Sequence, residues 1–247
     1  MNHNEEIECN RAIWQGWDDL VIDERCKRTL HTSWDKYNRP LDIELIETIY
    51  DYLSRIYKYK KDMVVLDIGS QGGTITLISK WFPESTWYAF EPVNISYEIL
   101  NKNLLLNNIS NVITYNKAVS NKNEVGYIKI PSDGHLGHPT LGDNPPHFND
   151  WTLQKTDIVR GDDFLNTNID FIKIDAEGAE IDIIRGLKNH ILKYKPTILL
   201  EIALGCLQGF GLGINDIFTI IDEIGYHVEW RDCADWETGG NIIISPK

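Results

Sequence analysis

The sequence predicts an α/β domain, with a mostly parallel sheet, helices on both faces and an antiparallel last strand. From Asp62 onward, short apolar runs alternate with longer stretches of helical periodicity, the pattern of strand–helix–strand units. Many of these runs end in acids or glycines, at the edge where such a sheet opens its ligand crevice. The last two runs, HVEW and GNIIIS, are joined by a polar segment with no helical pattern, so they should pair antiparallel.

Residues 1–60 read as an N-terminal helical cap on a main domain of residues 61–247. In PLDIELIETIYDYLSRIYKY, Leu41, Leu45, Ile49, Leu53 and Ile56 recur at three- and four-residue spacing, which marks an amphipathic helix. Pro40 suits its first turn, and Asp42 and Glu44 suit its positive end. Trp14, Trp17 and Trp34 fit a core, a homodimer surface or a lid over a site. In the main domain MVVLDI is the first strand and TITLISKWF a helix; STWYAF is the second strand and PVNISYEILNKNLLLNN a helix. VITYNKAV is a third strand and VGYIKI a fourth, followed by an irregular stretch from Ile130 to Trp151. DFIKID, AEIDIIRGLKNHI, PTILLEI and INDIFTIIDEIGY then alternate strand and helix up to the closing pair.

Composition narrows the function classes. A net charge of −13 opposes nucleic acid, whose phosphates demand clustered Lys and Arg, and the KYKK run at Lys58 to Lys61 is too short to reverse it. No apolar run approaches the roughly eighteen residues of a membrane span, and the polar, acidic start lacks the pattern of a signal peptide. The four cysteines (Cys9, Cys26, Cys206, Cys233) have no metal or redox spacing and read as free thiols, which suits a cytoplasmic protein.

The strand ends supply the candidate site. They are Asp67 and Gly69 after the first strand, Glu91 after the second, Asn116 to Ala118 after the third, then Asp175, Glu177 and Glu201. The loop GSQGG (Gly69 to Gly73) lets a ligand approach bare backbone, but it lacks the GxGxxG spacing that cradles a pyrophosphate. Asp67 beside it would repel phosphate and attract an ammonium or sulfonium, while Glu91 is placed to take the two hydroxyls of a ribose. A ribose, no phosphate and a cationic amino-acid tail describe S-adenosylmethionine. Asp67, Gly69, Ser70, Gly72, Glu91, Asn116 and Ala118 are its expected contacts.

These residues lie in motifs that resemble the FkbM family of S-adenosylmethionine-dependent methyltransferases. LDIGSQGG, FEP, NKAVS, RGDDFL, PTILLEI and above all DFIKIDAEGAEIDIIRG carry the resemblance, from Val64 to Glu201. It implies the class I methyltransferase (Rossmann-like) fold with a seven-stranded sheet whose last strand is antiparallel. It also implies O-methylation of sugars or polyketide-type small molecules. The first loop departs from the family pattern at Gln71 and Gly73.

Three further features bear on chemistry. Lys173 shares a strand face with Phe171 and Asp175, and either neutralises an acid such as Asp162 or Asp163 or acts as a base or substrate contact. Asp175 and Glu201 end neighbouring strands; together they would suit Mg²⁺ and an acceptor diol, or direct hydrogen bonding to loop and substrate. His135, His138 and His147 fall in the irregular stretch, and His135 and His138 are candidate bases. In KIDAEGAE, Glu177 should face the cleft while Glu180 caps or packs the following helix. The expected activity is O-methylation of a sugar or nucleotide-linked sugar in polysaccharide or natural-product biosynthesis. The alternatives are an NAD(P)-dependent oxidoreductase on a similar sheet, or a non-catalytic S-adenosylmethionine-fold binding protein.

Overall fold

The computed structural model describes residues 20–22, 43–132, 138–142, 150–232 and 239–247. Helix α1 (Ile43–Tyr59) precedes strand β1 (Val64–Ile68), a 3₁₀ helix (Thr76–Trp81), β2 (Thr86–Phe90), α2 (Asn94–Leu106) and β3 (Val112–Tyr115). Three strands follow that leave the main sheet: β4 (Ala118–Ser120), β5 (Glu124–Pro131) and β6 (Trp151–Arg160). The short α3 (Gly161–Phe164) leads to β7 (Phe171–Ile174), α4 (Glu180–Gly186), α5 (Lys188–Tyr194) and β8 (Thr197–Ala203). Helices α6 (Leu204–Gly209) and α7 (Ile214–Glu223) and strands β9 (Tyr226–Arg231) and β10 (Gly239–Pro246) complete the described chain.

The main sheet has seven strands in the order β3-β2-β1-β7-β8-β10-β9. The β3-β2-β1-β7-β8 segment is parallel throughout, and β10 runs antiparallel to both of its neighbours, as the helix-free closing pair requires. Every residue of β1 is buried, because helices cover both faces of a parallel sheet. Strand periodicity divides the core in two. Val65, Phe171, Leu199 and Ile243 face Ile49 and Leu53 of α1 and Ile99 and Leu100 of α2. Leu66, Ile172, Leu200 and Ile242 face Ile183 and Ile184 of α4 and Ile217 and Ile220 of α7. Leu20 and Ile22 join the first of these cores, and Val21 pairs its N–H and carbonyl with the Asn107 side chain at 3.0 and 2.9 Å.

Four expected elements differ. VITYNKAV is two strands, divided at Asn116 and Lys117, and its second half pairs with β6 in a separate three-stranded sheet of order β4-β6-β5. VGYIKI belongs to that small sheet as β5 rather than to the main one. The helix expected at TITLISKWF is a single 3₁₀ segment, where Thr74, Ile75, Thr76 and Ile78 place four β-branched side chains in five residues. AEIDIIRGLKNHI breaks into α4 and α5 at Leu187, whose N–H bonds back to both the Ile183 and Ile184 carbonyls. No helix among the described residues is long and apolar enough to cross a membrane.

Candidate active site

The loop after β1 turns at Gly69, where φ is +75° and an added Cβ would lie 1.7 Å from the Asp175 carbonyl oxygen. Two strand-end loops thus meet backbone to backbone, which only glycine allows. The Gly69 and Ser70 N–H groups both donate to the Phe90 carbonyl at 3.0 Å. Ser70 Oγ donates to the Asp67 carbonyl at 2.9 Å, so the turn is tied to its own strand and to β2. Gln71 takes a left-handed φ of +47°, and its N–H donates to Glu91 Oε2 at 2.7 Å. The Val93 N–H donates to Glu91 Oε1 at 2.8 Å. Burial raises the Glu91 carboxyl to about 7, against the pull of these two backbone donors.

Below the loop lies a buried charge cluster. Lys173, 5% exposed, sits opposite Asp67 in the β1–β7 register. Its Nζ is 3.4 Å from Asp67 Oδ1 and 3.1 Å from Asp175 Oδ2, and it donates to the Gly69 carbonyl at 2.6 Å. Burial opposes the ammonium, but Asp175 and Asp67 outweigh it and hold Lys173 above the ordinary lysine value. Lys173 is therefore a fixed cation and not a base. The other Asp67 oxygen accepts Thr76 Oγ1 at 2.5 Å. On β8, Glu201 is hydrogen-bonded to Asp175; the Asp175 charge and then burial push the Glu201 carboxyl well above the usual carboxylate range.

This donor set does not fit Mg²⁺. Among the described residues no group of three or more His, Cys, Asp or Glu side chains gathers to hold a metal. Asp175 is engaged by Glu201 and by the Lys173 ammonium at 3.1 Å, so a divalent ion on this carboxylate would face a fixed cation beside it.

At the cleft mouth Glu177 has a left-handed φ of +50°, a strained conformation for a side-chain-bearing residue. Its Oε2 accepts Cys206 Sγ at 3.0 Å, its Oε1 lies 3.3 Å from His138 Nδ1, and its carbonyl accepts Thr140 Oγ1 at 2.8 Å. The bond to Glu177 raises the His138 pKa against the opposing effect of burial. Glu180, three residues on, turns inward, and its Oε1 accepts the Ala176 and Gly178 N–H groups at 3.2 and 3.1 Å.

Two cavities meet at this site. One is lined by Gly69, Gln71, Glu91, Val93, Lys117, Ala118, Val119, Ile128, Leu141, Asp175, Glu177 and Ile183, among others. The second lies under α1 and is lined by Leu45, Ile46, Ser70, Thr74, Ile75, Lys173, Leu199, Glu201 and Asn241. Gly69, Gln71 and Asp175 belong to both.

Residues 67–228 match the methyltransferase FkbM domain, almost two thirds of the chain. The chain belongs to the FkbM methyltransferase family. It is similar to Methyltransferase 1 of Beauveria bassiana, 25% identical over 186 residues that cover 66% of this chain and 74% of that one. Among solved structures it resembles Methyltransferase FkbM of Methylobacillus flagellatus, at 15% identity and a TM-score of 0.51. That match covers 98% of this chain but 59% of the other protein. Precorrin-6y C5,15-methyltransferase of Geobacter metallireducens aligns over 93% of this chain and 95% of its own, with TM-score 0.53 and 15% identity. A Streptococcus mutans protein solved with SAH aligns over 81% and 96%, with TM-score 0.51 and 12% identity. At these identities the structural matches speak for the class I methyltransferase fold. The family match makes the protein an S-adenosylmethionine-dependent methyltransferase and sets aside the nicotinamide-dependent reading.

Of the cofactor contacts expected in this FkbM chain, Gly69, Glu91 and Ala118 line the first cavity, and Gly69 and Ser70 line the second. Asp67, Gly72 and Asn116 line neither. Asp67 is fully buried beneath the loop, facing Lys173 and Thr76. The Gly72 carbonyl accepts Asn103 Nδ2 at 2.7 Å, and Asn116 Nδ2 donates to the Glu91 and Pro92 carbonyls at 3.0 and 3.2 Å, so both brace the loops from behind. The partners expected for Lys173 are also corrected. Asp162 instead accepts the Asn189 and His190 N–H groups and lies 2.8 Å from His190 Nδ1. His138 lines neither cavity, and His135 and His147 lie outside the described residues, as do most of the N-terminal 60. Gln71, Ile128 and Asn241 were missed. Alternation along β5 could have flagged Ile128, and Gln71 sits inside the GSQGG loop already singled out; Asn241 carries no local signal.

Proposed function

We propose that this methyltransferase moves the methyl group of S-adenosylmethionine to a hydroxyl of a small, hydroxyl-rich acceptor. The acceptor class is a sugar or nucleotide-linked sugar of polysaccharide or natural-product biosynthesis. The observation that carries this reading is the junction of two cavities at Asp175. A two-substrate transfer needs two ligands to meet at one point, and the pocket beyond the cofactor cleft is lined by Asp175, Glu201 and Asn241 together.

In this reading Glu91 takes the ribose hydroxyls of the cofactor, and the apolar wall of Val119, Ile128 and Ile183 holds its base. Asp175 accepts the acceptor O–H and orients its oxygen along the line of the methyl–sulfur bond. As the C–O bond forms and the S–C bond breaks, the hydroxyl proton passes to Asp175 and the sulfur leaves as a neutral thioether. An alkyl hydroxyl is far too weak an acid to ionise beforehand, so proton loss accompanies the attack. Lys173 fixes the Asp175 carboxylate without titrating. We assign the proton to Asp175 rather than to His138, which lies outside both cavities.

Calorimetric titration with S-adenosylhomocysteine tests the cofactor half: micromolar binding is expected, lost in Glu91→Ala. Labelled-methyl transfer to a panel of sugars and nucleotide sugars tests the acceptor half. There Asp175→Asn should keep homocysteine-compound binding within a few-fold while turnover falls about 10²-fold or more. Absence of binding, or full turnover in Asp175→Asn, would sink the reading.

A further inference from the structure

Asn241, the third residue of β10, lies directly opposite Glu201 on β8, and both residues line the cavity under α1. Asp232, just beyond β9, grips Asn241 at three points. The Asn241 N–H donates to Asp232 Oδ1 at 2.7 Å, and Asn241 Nδ2 donates to Oδ2 at 2.7 Å. The Asp232 N–H returns a bond to the Asn241 carbonyl at 3.1 Å. A carboxylate only accepts, so the amide must turn its NH₂ to Asp232, and the carboxamide oxygen is the end left for the cavity. A side chain held this way loses little rotamer freedom when a ligand binds.

The rest of the cavity asks for the same kind of ligand. Thr74 Oγ1 is buried with no hydrogen-bond partner among the described residues, and Thr74 is a lining residue. Leu45 and Ile46 of α1 and Leu199 of β8 offer apolar walls that suit the C–H face of a saturated ring. Acceptor oxygens on Asp175 and Asn241 favour hydroxyl donors, and the Lys173 ammonium that also lines the cavity is already taken up by Asp67 and Asp175.

We propose that Asn241, oriented by Asp232, is a specificity-determining residue that binds a ring hydroxyl of a neutral polyol whose neighbouring hydroxyl meets Asp175. Any phosphate carried by the acceptor lies outside this cavity. The proposal rests on reading this cavity as the acceptor pocket. Asn241 is the binding group, and Asp232 is a positioning residue that acts through it.

The test uses the full chain saturated with S-adenosylhomocysteine and four probes: D-glucose, D-galactose, L-rhamnose and myo-inositol. Saturation-transfer NMR should detect at least one probe bound to the wild type. Its affinity should fall at least fivefold in Asn241→Leu and in Asp232→Ala. Asp232→Asn, which keeps an acceptor facing the amide, should recover part of the loss. Affinity for the homocysteine compound should change less than twofold in all three variants, which also reports that they are folded. Three results would overturn the proposal: no probe binding to the loaded wild type, unchanged probe affinity in both Asn241→Leu and Asp232→Ala, or a parallel fall in homocysteine-compound affinity. The second would make the Asp232–Asn241 clamp a loop closure only, and the third would assign the cavity to the cofactor's amino-acid tail. A wild type that binds no homocysteine compound at all instead overturns the proposed function itself.

Discussion

Lys173 and Glu180 are two buried charges met in opposite ways. Lys173 is surrounded by oxygens of Asp67, Asp175 and Gly69, and its charge is fixed. Glu180 is 1% exposed; one oxygen takes two backbone N–H groups and the other, Oε2, has no hydrogen-bond partner among the described residues. Burial therefore raises the Glu180 carboxyl from 4.5 to about 7. Between those values the folded state binds the proton more tightly than the unfolded chain, so stability is lost as pH rises, on the order of 3 kcal/mol in all. Glu91, Glu201 and His138 are also raised and push in the same direction. Glu180→Gln keeps an acceptor for the two N–H groups and removes the titration. Urea unfolding should find it close to wild type at pH 5 and about 1–3 kcal/mol more stable at pH 8, and parallel pH curves for the two proteins would refute this account. At this scale the sequence was a fair guide to direction and a poor one to partners. The division of labour between Glu177 and Glu180 was readable from a helix start. The Asp67–Lys173 pairing was not, because it depends on the register of two strands about a hundred residues apart.

Elements were legible where periodicity was strong and opaque where tertiary contact decided. The fully buried β1, the amphipathic α1 and α7 and the antiparallel closing pair all follow from pattern. Strand β6 does not, because WTLQKTDIVR is mostly exposed or half-buried and mixes polar with apolar residues at no clean period. Helix α6 lies in ALGCLQGFG, where the glycines suggest a loop. Gly186 shows the same tension inside a helix. Propensity alone predicts that Gly186→Ala would stabilise α4 by about 1 kcal/mol. An added Cβ, however, would lie 1.9 Å from the Ser120 carbonyl oxygen at the end of β4, backbone that cannot step aside. Helix α4 and the small sheet can approach this closely only through a bare Cα, so Gly186→Ala should destabilise by about 2 kcal/mol net. Chemical denaturation decides between the two signs. A stabilised variant would mean that the α4–β4 contact yields without cost.

Across the whole molecule, the net charge of −13 surrounds a site that is itself rich in carboxylates. S-adenosylmethionine enters with a net positive charge, because its sulfonium and ammonium outnumber its carboxylate. S-adenosylhomocysteine leaves with none, since the transfer turns the sulfonium into a thioether. The protein's field thus favours the substrate form of the cofactor over the product form, and the reaction itself cancels the attraction. Salt should separate the two ligands, because screening acts on a net charge over distances of about 10 Å and hardly on a neutral zwitterion. Raising NaCl from about 20 to about 300 mM should weaken S-adenosylmethionine binding roughly threefold and leave S-adenosylhomocysteine nearly unchanged in parallel calorimetric titrations. Equal salt dependence for both ligands would mean that local contacts alone set cofactor affinity. Divergence would tie the acidic composition, which first argued against nucleic acid, to release of the spent cofactor.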